Sequence, residues 1–361
     1  MNLRRWFSVY IVPGAVFQSV LVGGGYGTGR ETVEYVTQAG AGGGVVAVAL
    51  FFLTLTLVLA ASFEFARVFR TYDYRHFFQR LLGRAWWLFE ALAVLLMVLI
   101  LAVVISAAVT MVEGWLGVPG WVTTVSVIAA TGLVLAVGQS LVQGLLSVWA
   151  ALFSVFVVVL AVVGFSIQGD DISRALAGEP WMSAASLKGV QYALYNIAAV
   201  PLLLYTVSVL RTRREAMLSA LIAGAAGALP ALLMHLVLVP LAPGVLSEPL
   251  PVRALIDALG VAWLVPVYTV LLLGTIVQTA IGVLEGVVKR VDGWREDQGR
   301  APLAAVTRGL FGAGVLSASA IGSVLGVIAL IGSGYGTMAW GFMLVYAVPL
   351  LTLGLWKIRS A

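Results

Sequence analysis

"LVGGGYGTGRE", residues 21–31, interrupts the first apolar run of membrane length in the chain. Five of its eleven residues are glycine, and it leads straight into Arg30 and Glu31. A helix in lipid must satisfy every backbone N–H and C=O, so a break is tolerated only where it is buried in protein or lines a watery cavity. Glycine permits the unusual torsions of such a break and lets another group approach the backbone closely. The stretch therefore predicts two half-helices joined near mid-membrane. The alternative is a short span at 7–22 followed by an external loop. Sixteen residues rise only about 24 Å, short of a hydrocarbon core about 30 Å thick, and 30–39 (RETVEYVTQA) reads as a short helix with a polar side.

The remainder of the chain establishes the membrane class. Of 361 residues 61% are hydrophobic and 10% charged, with a mean hydropathy of +1.05. A soluble domain carries about 25% charged residues. Windows of roughly 20 apolar residues give ten spans, at 7–37, 43–66, 86–112, 121–138, 141–167, 184–210, 215–241, 260–288, 304–331 and 336–356. The first has no small-residue cleavage site behind it and reads as a retained span. There is no cysteine, hence no disulfide and no thiolate metal site. The net charge of +5 does not imply nucleic acid, because the basic residues fall in particular loops. Seventeen lysines and arginines lie in alternate loops and at both termini, whereas only Arg30, Arg174, Lys188 and Arg253 lie in the others. By the positive-inside rule both termini are cytoplasmic.

A site built from one broken helix predicts a second break in the other half of the chain. The sixth span, "KGVQYALYNIAAVPLLLYTVSVL" (188–210), has Asn196 near its centre between tyrosines and Pro201 beyond it. Proline removes a backbone donor and crowds the preceding turn; its bland reading is an ordinary kink. Five spans precede this segment and five begin with it, and an odd number inverts the second set. The expected architecture is thus an all-α 5+5 inverted repeat, with halves 1–167 and 184–361 joined by an external connection, 168–183. The backbone of Gly24, Gly25 and Gly27 with Tyr26, Tyr192, Tyr195 and Asn196 would form a binding site. Aromatic rings and carbonyls can hold an ammonium group, so the expected solute is an amino acid or related amine.

The ten-span plan, the broken first and sixth helices and "GGGYGTGRE" (23–31) resemble the LeuT-fold, or amino acid–polyamine–organocation, superfamily. Within it the first-helix run is similar to that of the YkvI-like bacterial membrane proteins. The resemblance implies transport by alternating access, without fixing a substrate. Sodium-coupled members hold a cation between first-helix backbone oxygens and the eighth helix, which here implies Gly23 with Thr275, Gln278 and Thr279. Gln278 departs from the hydroxyl pattern, and Thr and Gln also serve simply to bond neighbouring helices. Arg30 resembles an external gate, and Glu31 matches the glutamate of the YkvI-like run. Ionisable residues at membrane depth point to function; the alternative places both at the outer interface, with Arg30 pairing to Glu34. Na⁺ or H⁺ would be the coupling ion, with no other cofactor.

Several other features carry structural readings. Glu64 and Arg67 can pair, Glu90, Glu113 and Glu285 lie near span ends, and His235 would bond between helices. "GSGYGT" (332–337) repeats the opening motif and reads as a tight glycine turn between the last two spans. An intramembrane enzyme would need a nucleophile–base set or metal cluster, yet the only histidines are His76 and His235. No filter-like repeat suggests a channel and no nucleotide-binding loop is present. A uniporter or exchanger of the same fold is not separated from a symporter by sequence, and the oligomeric state is not encoded in any motif.

Overall fold

The computed structural model describes residues 3–21, 23–137, 139–178 and 181–361, leaving aside the side chains of 137, 139–148, 150 and 297. Among the described residues the secondary structure is entirely helical. Eight helices among the described residues are long and apolar enough to cross a membrane: Ala41–Phe69, Tyr74–Leu116, Ala151–Gly178, Ala184–Val209, Arg213–Leu241, Leu264–Glu296, Ala305–Ser323 and Val327–Arg359. The shorter Gly120–Val137 helix and the broken first segment accompany them. Large apolar side chains face outward: Leu133 is 69% and Ile321 79% exposed. That outward apolar surface suits lipid, and the chain is a multi-pass membrane protein.

The helix Arg213–Leu238 shows how small residues set the packing. Ala216, Ser219, Ala220, Ala223, Gly224, Gly227, Ala228 and Ala231 form one buried face at three- and four-residue spacing, which brings helices together closely in membranes. Leu218, Leu221 and Leu229 on the other face are exposed. The small face lies against Ala41–Phe69, where Gly224 meets the Thr56 side chain. Gly189, at the start of the sixth helix, sits on the backbone of Ala47, where a side chain has no room.

Contacts between loops sort the ends of the bundle. Arg5 pairs with Glu215 at 2.7 Å, Arg67 reaches the Arg211 carbonyl at 3.4 Å and Lys357 the Arg80 carbonyl at 2.7 Å. Arg290 pairs with Glu90 at 2.6 Å. Each contact joins two segments expected to share one side. Glu64 and Arg67 pair as expected, at 2.7 Å.

Two expectations change. The turn between the last two spans falls at Val324–Gly326, with Gly326 at φ 83°, and not at 332–337. Residues Leu330–Tyr335 wind as a π-helix and Gly336–Phe342 as α-helix within one long span. The glycines of "GSGYGT" serve close approach: a Cβ on Gly332 would stand 3.3 Å from the Glu34 carboxyl carbon, and one on Gly336 2.9 Å from the Gln191 amide. The sixth span, in turn, does not unwind into open backbone. It is α-helical over Lys188–Asn196 and continues as a 3₁₀-helix over Ile197–Val209. Such runs rarely exceed four residues; this one has 13. Pro201 lacks the donor that α geometry would direct to the Ile197 carbonyl, and the change of winding begins at that residue.

Candidate substrate site

The first helix runs from Leu3–Tyr10 into Val12–Leu21, carried across Ile11 by the bonds Ile11 N–H to Phe7 O and Ala15 N–H to Ile11 O, both 2.9 Å. It then breaks twice. Gly23 is extended at φ −113° and ψ −179°, Gly24–Gly27 make a single helical turn, and Gly29 is left-handed at φ 80° before Arg30–Tyr35 resumes. All four residues of the turn and all six of the second half-helix are buried. Half-helices, and not a loop in water, therefore describe 23–35. Gly29 has to be glycine: its φ disfavours any side chain, and a Cβ there would lie 2.8 Å from Val252.

The break satisfies its own backbone. Gly27 N–H donates to Gly23 O at 2.8 Å, Thr28 N–H to Gly24 O at 3.2 Å and Gly29 N–H to Tyr26 O at 2.9 Å. The Thr28 hydroxyl donates to Gly25 O at 2.7 Å and accepts from Arg30 N–H at 3.1 Å. Tyr268 Oη donates to Gly27 O at 3.2 Å, and Val252 N–H donates to Thr28 O at 3.1 Å. Every carbonyl from Gly23 to Thr28 thus has a protein donor. The residues of the predicted cation position make protein hydrogen bonds of their own. Thr279 does reach the break, but its Oγ1 accepts the Gly24 N–H at 3.1 Å and donates to Thr275 O at 2.7 Å. Thr275 Oγ1 donates to Leu271 O at 2.8 Å. The Gly24–Thr279 bond is a helix-to-helix contact of the kind sequence offers as the alternative to a sodium cage, and the other two bonds stay within the Leu264–Asp297 helix.

A cavity of about 330 Å³ begins at Gly23, Gly24 and Gly25 and runs past Glu31, Tyr195 and Asn196 to Tyr74, Gly286 and Arg290. Gln278, Thr279, Pro201 and Tyr335 also line it. Its closed end is the break; its far end lies among the cation-rich loops, where Arg290 pairs with Glu90 and stacks 5.0 Å over Tyr74. Of the expected site residues, Gly23, Gly24, Gly25, Tyr195, Asn196, Gln278 and Thr279 meet on this wall. Tyr26, Gly27 and Tyr192 stand behind it: Gly27 touches Leu272 and Phe153, and Tyr192 stacks between Phe51 at 4.4 Å and Tyr35 at 5.3 Å. Asn196 turns its amide back to Tyr192 O at 2.8 Å.

Glu31 and Arg30 separate to opposite roles. Glu31 is 7% exposed, lies over Gly25 where any Cβ would collide with its carboxylate, and accepts from Tyr195 Oη at 2.5 Å. No cation among the described residues pairs with it. Arg30 is 1% exposed and points away from the cavity. It pairs with Glu34 at 2.8 Å and donates to Leu246 O at 2.6 Å and Glu248 O at 3.2 Å. Glu34 also receives Lys188 at 2.7 Å and Gln38 at 2.9 Å. The i, i+4 pair expected at an interface is thus buried in a network closing the end opposite the cavity mouth. His235 bonds Thr37 Oγ1 at 3.1 Å and Ala41 O at 3.0 Å, joining helices as expected.

Sequence reasoning passed over Tyr335, the third-span wall of Ala93, Leu96 and Ile100, and the sealing segment from Leu246 to Val252. Only Tyr335 carried a signal, the repeated glycine–tyrosine motif, and glycine content pointed it toward a turn.

No protein-family profile and no curated protein matches this chain. Solved structures do resemble it. A manganese transporter of Eremococcus coleocola, bound to an aromatic bis-isothiourea compound, superposes with a TM-score of 0.60 and 16% identity over 97% of this chain and 80% of its own. A Na⁺-coupled sialic acid symporter in a substrate-bound outward-open state gives 0.56 and 14%, over 92% and 78%. The chain shares the fold of these membrane transporters.

Proposed function

We propose that this protein is a secondary active transporter of the LeuT type, moving a small organic solute, an amino acid or related amine, across the membrane by alternating access. The halves 1–167 and 184–361, linked by 168–183, form the inverted repeat, and both termini face the cytoplasm of a bacterial inner membrane. The observation that carries this reading is the one-sided cavity: it ends at the break in the first helix and at the change of winding in the sixth. The opposite end is shut by Arg30, Glu34, Lys188 and the 246–252 segment. With the cation-rich loops inside, this is the inward-facing member of an alternating pair.

Glu31 is the coupling residue, since a buried carboxyl without an ion pair favours a proton or a cationic ligand. The protein's own hydrogen bonds between the break and Thr279 favour H⁺ over Na⁺. Manganese, the cargo of one structural neighbour, asks for several oxygen or imidazole ligands. The cavity offers one carboxylate, and among the described residues no three His, Asp or Glu side chains gather.

The chain has no cysteine, so single-cysteine variants report cleanly. Gly282 lines the cavity and has open space where a Cβ would stand. Gly282→Cys should react with an impermeant thiol reagent from the cytoplasmic side, and a transported solute should alter that rate. Reaction only from outside, or a rate that no solute or ion gradient changes, would remove the transporter reading.

A further inference from the structure

The second glycine–tyrosine motif, which the proposed transport function leaves unexplained, brings Tyr335 to the closed end of the cavity. Its ring lies 4.8 Å from that of Tyr195, and Tyr195 in turn donates to Glu31. Both rings line the cavity beside the carboxylate. The glycines around Tyr335 let its helix approach: Gly332 lies against Glu34 and Gly336 against Gln191.

We infer that Glu31, Tyr195 and Tyr335 form a receptor for the head of an organic ammonium ion, and that the solute is a cationic amine with an apolar tail and no carboxylate. This rests on the transporter reading and narrows it. Charge comes first. Among the described residues that line the cavity Glu31 is the one carboxylate, and burial leaves it demanding a positive partner. The groups surrounding it are Tyr26 on its own helix and Tyr35, Tyr192, Tyr195 and Tyr335 from neighbouring segments, none of them cationic. Glu34, one turn on, is engaged with Arg30 and Lys188. Ring faces and a carboxylate together are what an ammonium group prefers.

Two observations disfavour a carboxylate on the solute. Arg30, the nearest arginine in sequence, stands outside the cavity with Nη1 and Nη2 on Glu34 and two carbonyls, and Arg290, at the far end of the lining, is paired with Glu90. The Gly24 N–H, which could face an anion, is given to Thr279. Beyond the head, Ala93, Leu96, Ile100, Ala199 and Val283 make an apolar wall suited to a hydrocarbon tail. One carboxylate cannot hold a proton and an ammonium ion together. The amine therefore exchanges with H⁺: its arrival releases the proton from Glu31 to water, and its departure lets a proton return.

The test uses the full-length protein in lipid nanodiscs and three probes sharing one ring: phenethylamine, phenylalanine and 2-phenylethanol. Calorimetric titration should show binding of phenethylamine alone, weakening by about tenfold per pH unit on acidification where the proton competes. Glu31→Gln should abolish both binding and its pH dependence. Tyr335→Leu should weaken binding by about 5- to 30-fold, whereas Tyr205→Leu, exposed and outside the cavity, should not; thermal melts check that each variant folds. Phenylalanine or 2-phenylethanol binding as tightly as phenethylamine, wild-type affinity in Glu31→Gln, or no phenethylamine binding would overturn the inference. If phenylalanine binds and changes Gly282→Cys labelling, the transporter reading stands and the amine assignment alone falls.

Discussion

Arg30→Met and Lys188→Met remove cations from the same glutamate, but burial makes their expected effects unequal. Arg30 is 1% exposed, and its guanidinium serves Glu34 and the carbonyls of Leu246 and Glu248. Removing one partner from a buried pair costs about 3–5 kcal/mol. Glu34 keeps Lys188 and Gln38, so the lower end, about 3 kcal/mol, applies. In the outward-open state water reaches these groups and the loss vanishes. The difference falls on the closed state alone and moves the closed-to-open ratio by roughly 150-fold. Lys188 has a 34% exposed side chain; discounted for screening, its pair is worth at most about 1 kcal/mol, a shift of about fivefold. The assay is impermeant thiol labelling at Val252→Cys, a position fully buried against Gly29 in the closed end, with Gly282→Cys as the opposite reporter. Arg30→Met should speed labelling at 252 and slow it at 282; Lys188→Met should do so weakly. Equal effects from the two variants, or no change at 252 with Arg30→Met, would refute the ranking by burial.

Gly25→Ala should fold yet displace the Glu31 carboxylate from Tyr195, and the loss of a charged hydrogen bond, about 1.5–3 kcal/mol, should reduce solute affinity by tenfold or more in titration. Glu31→Gln should abolish solute counterflow in proteoliposomes as well as uptake driven by a pH gradient; gradient-driven uptake surviving in this variant would remove Glu31 from coupling. Thr279→Val deletes the acceptor for Gly24 N–H and should lower stability by about 1 kcal/mol, equally with and without Na⁺ in thermal melts; a Na⁺-dependent difference would restore the cation site. Reporters fused after Ala361 or inserted near Gln298 should read cytoplasmic, and those near Gly169 or Gly244 external.

What sequence made legible follows from the range of the forces involved. Spans and loop charges are local sums, and the helices 41–69, 213–238 and 305–323 begin close to where hydropathy places them. The first-helix break was legible because five glycines in eleven residues have few other uses in lipid. The misplaced turn at 332–337 has the same origin: glycine signals either torsional freedom or close approach, and only Glu34 and Gln191, distant in sequence, show which applies. The carbonyls of Gly27 and Thr28 are satisfied from Tyr268 and Val252, more than 200 residues away, and no periodicity announces such partners. Arg30 to Glu34 was legible as an i, i+4 pair; its burial beneath 246–248 was not.

The long 3₁₀ segment of the sixth span has a mechanical consequence. At about 2.0 Å per residue its 13 residues extend about 26 Å, whereas the same residues at about 1.5 Å per residue would extend about 20 Å. Rewinding to α geometry would shorten the helix by about 6 Å without breaking the chain, the Ile197 carbonyl alone losing its donor because Pro201 has no N–H. The segment between Asn196 and Leu210 is in that sense a telescoping rod held at full length. A pair of spin labels at its ends would measure the stroke as the cavity changes sides, and a constant separation would show that the rod is rigid.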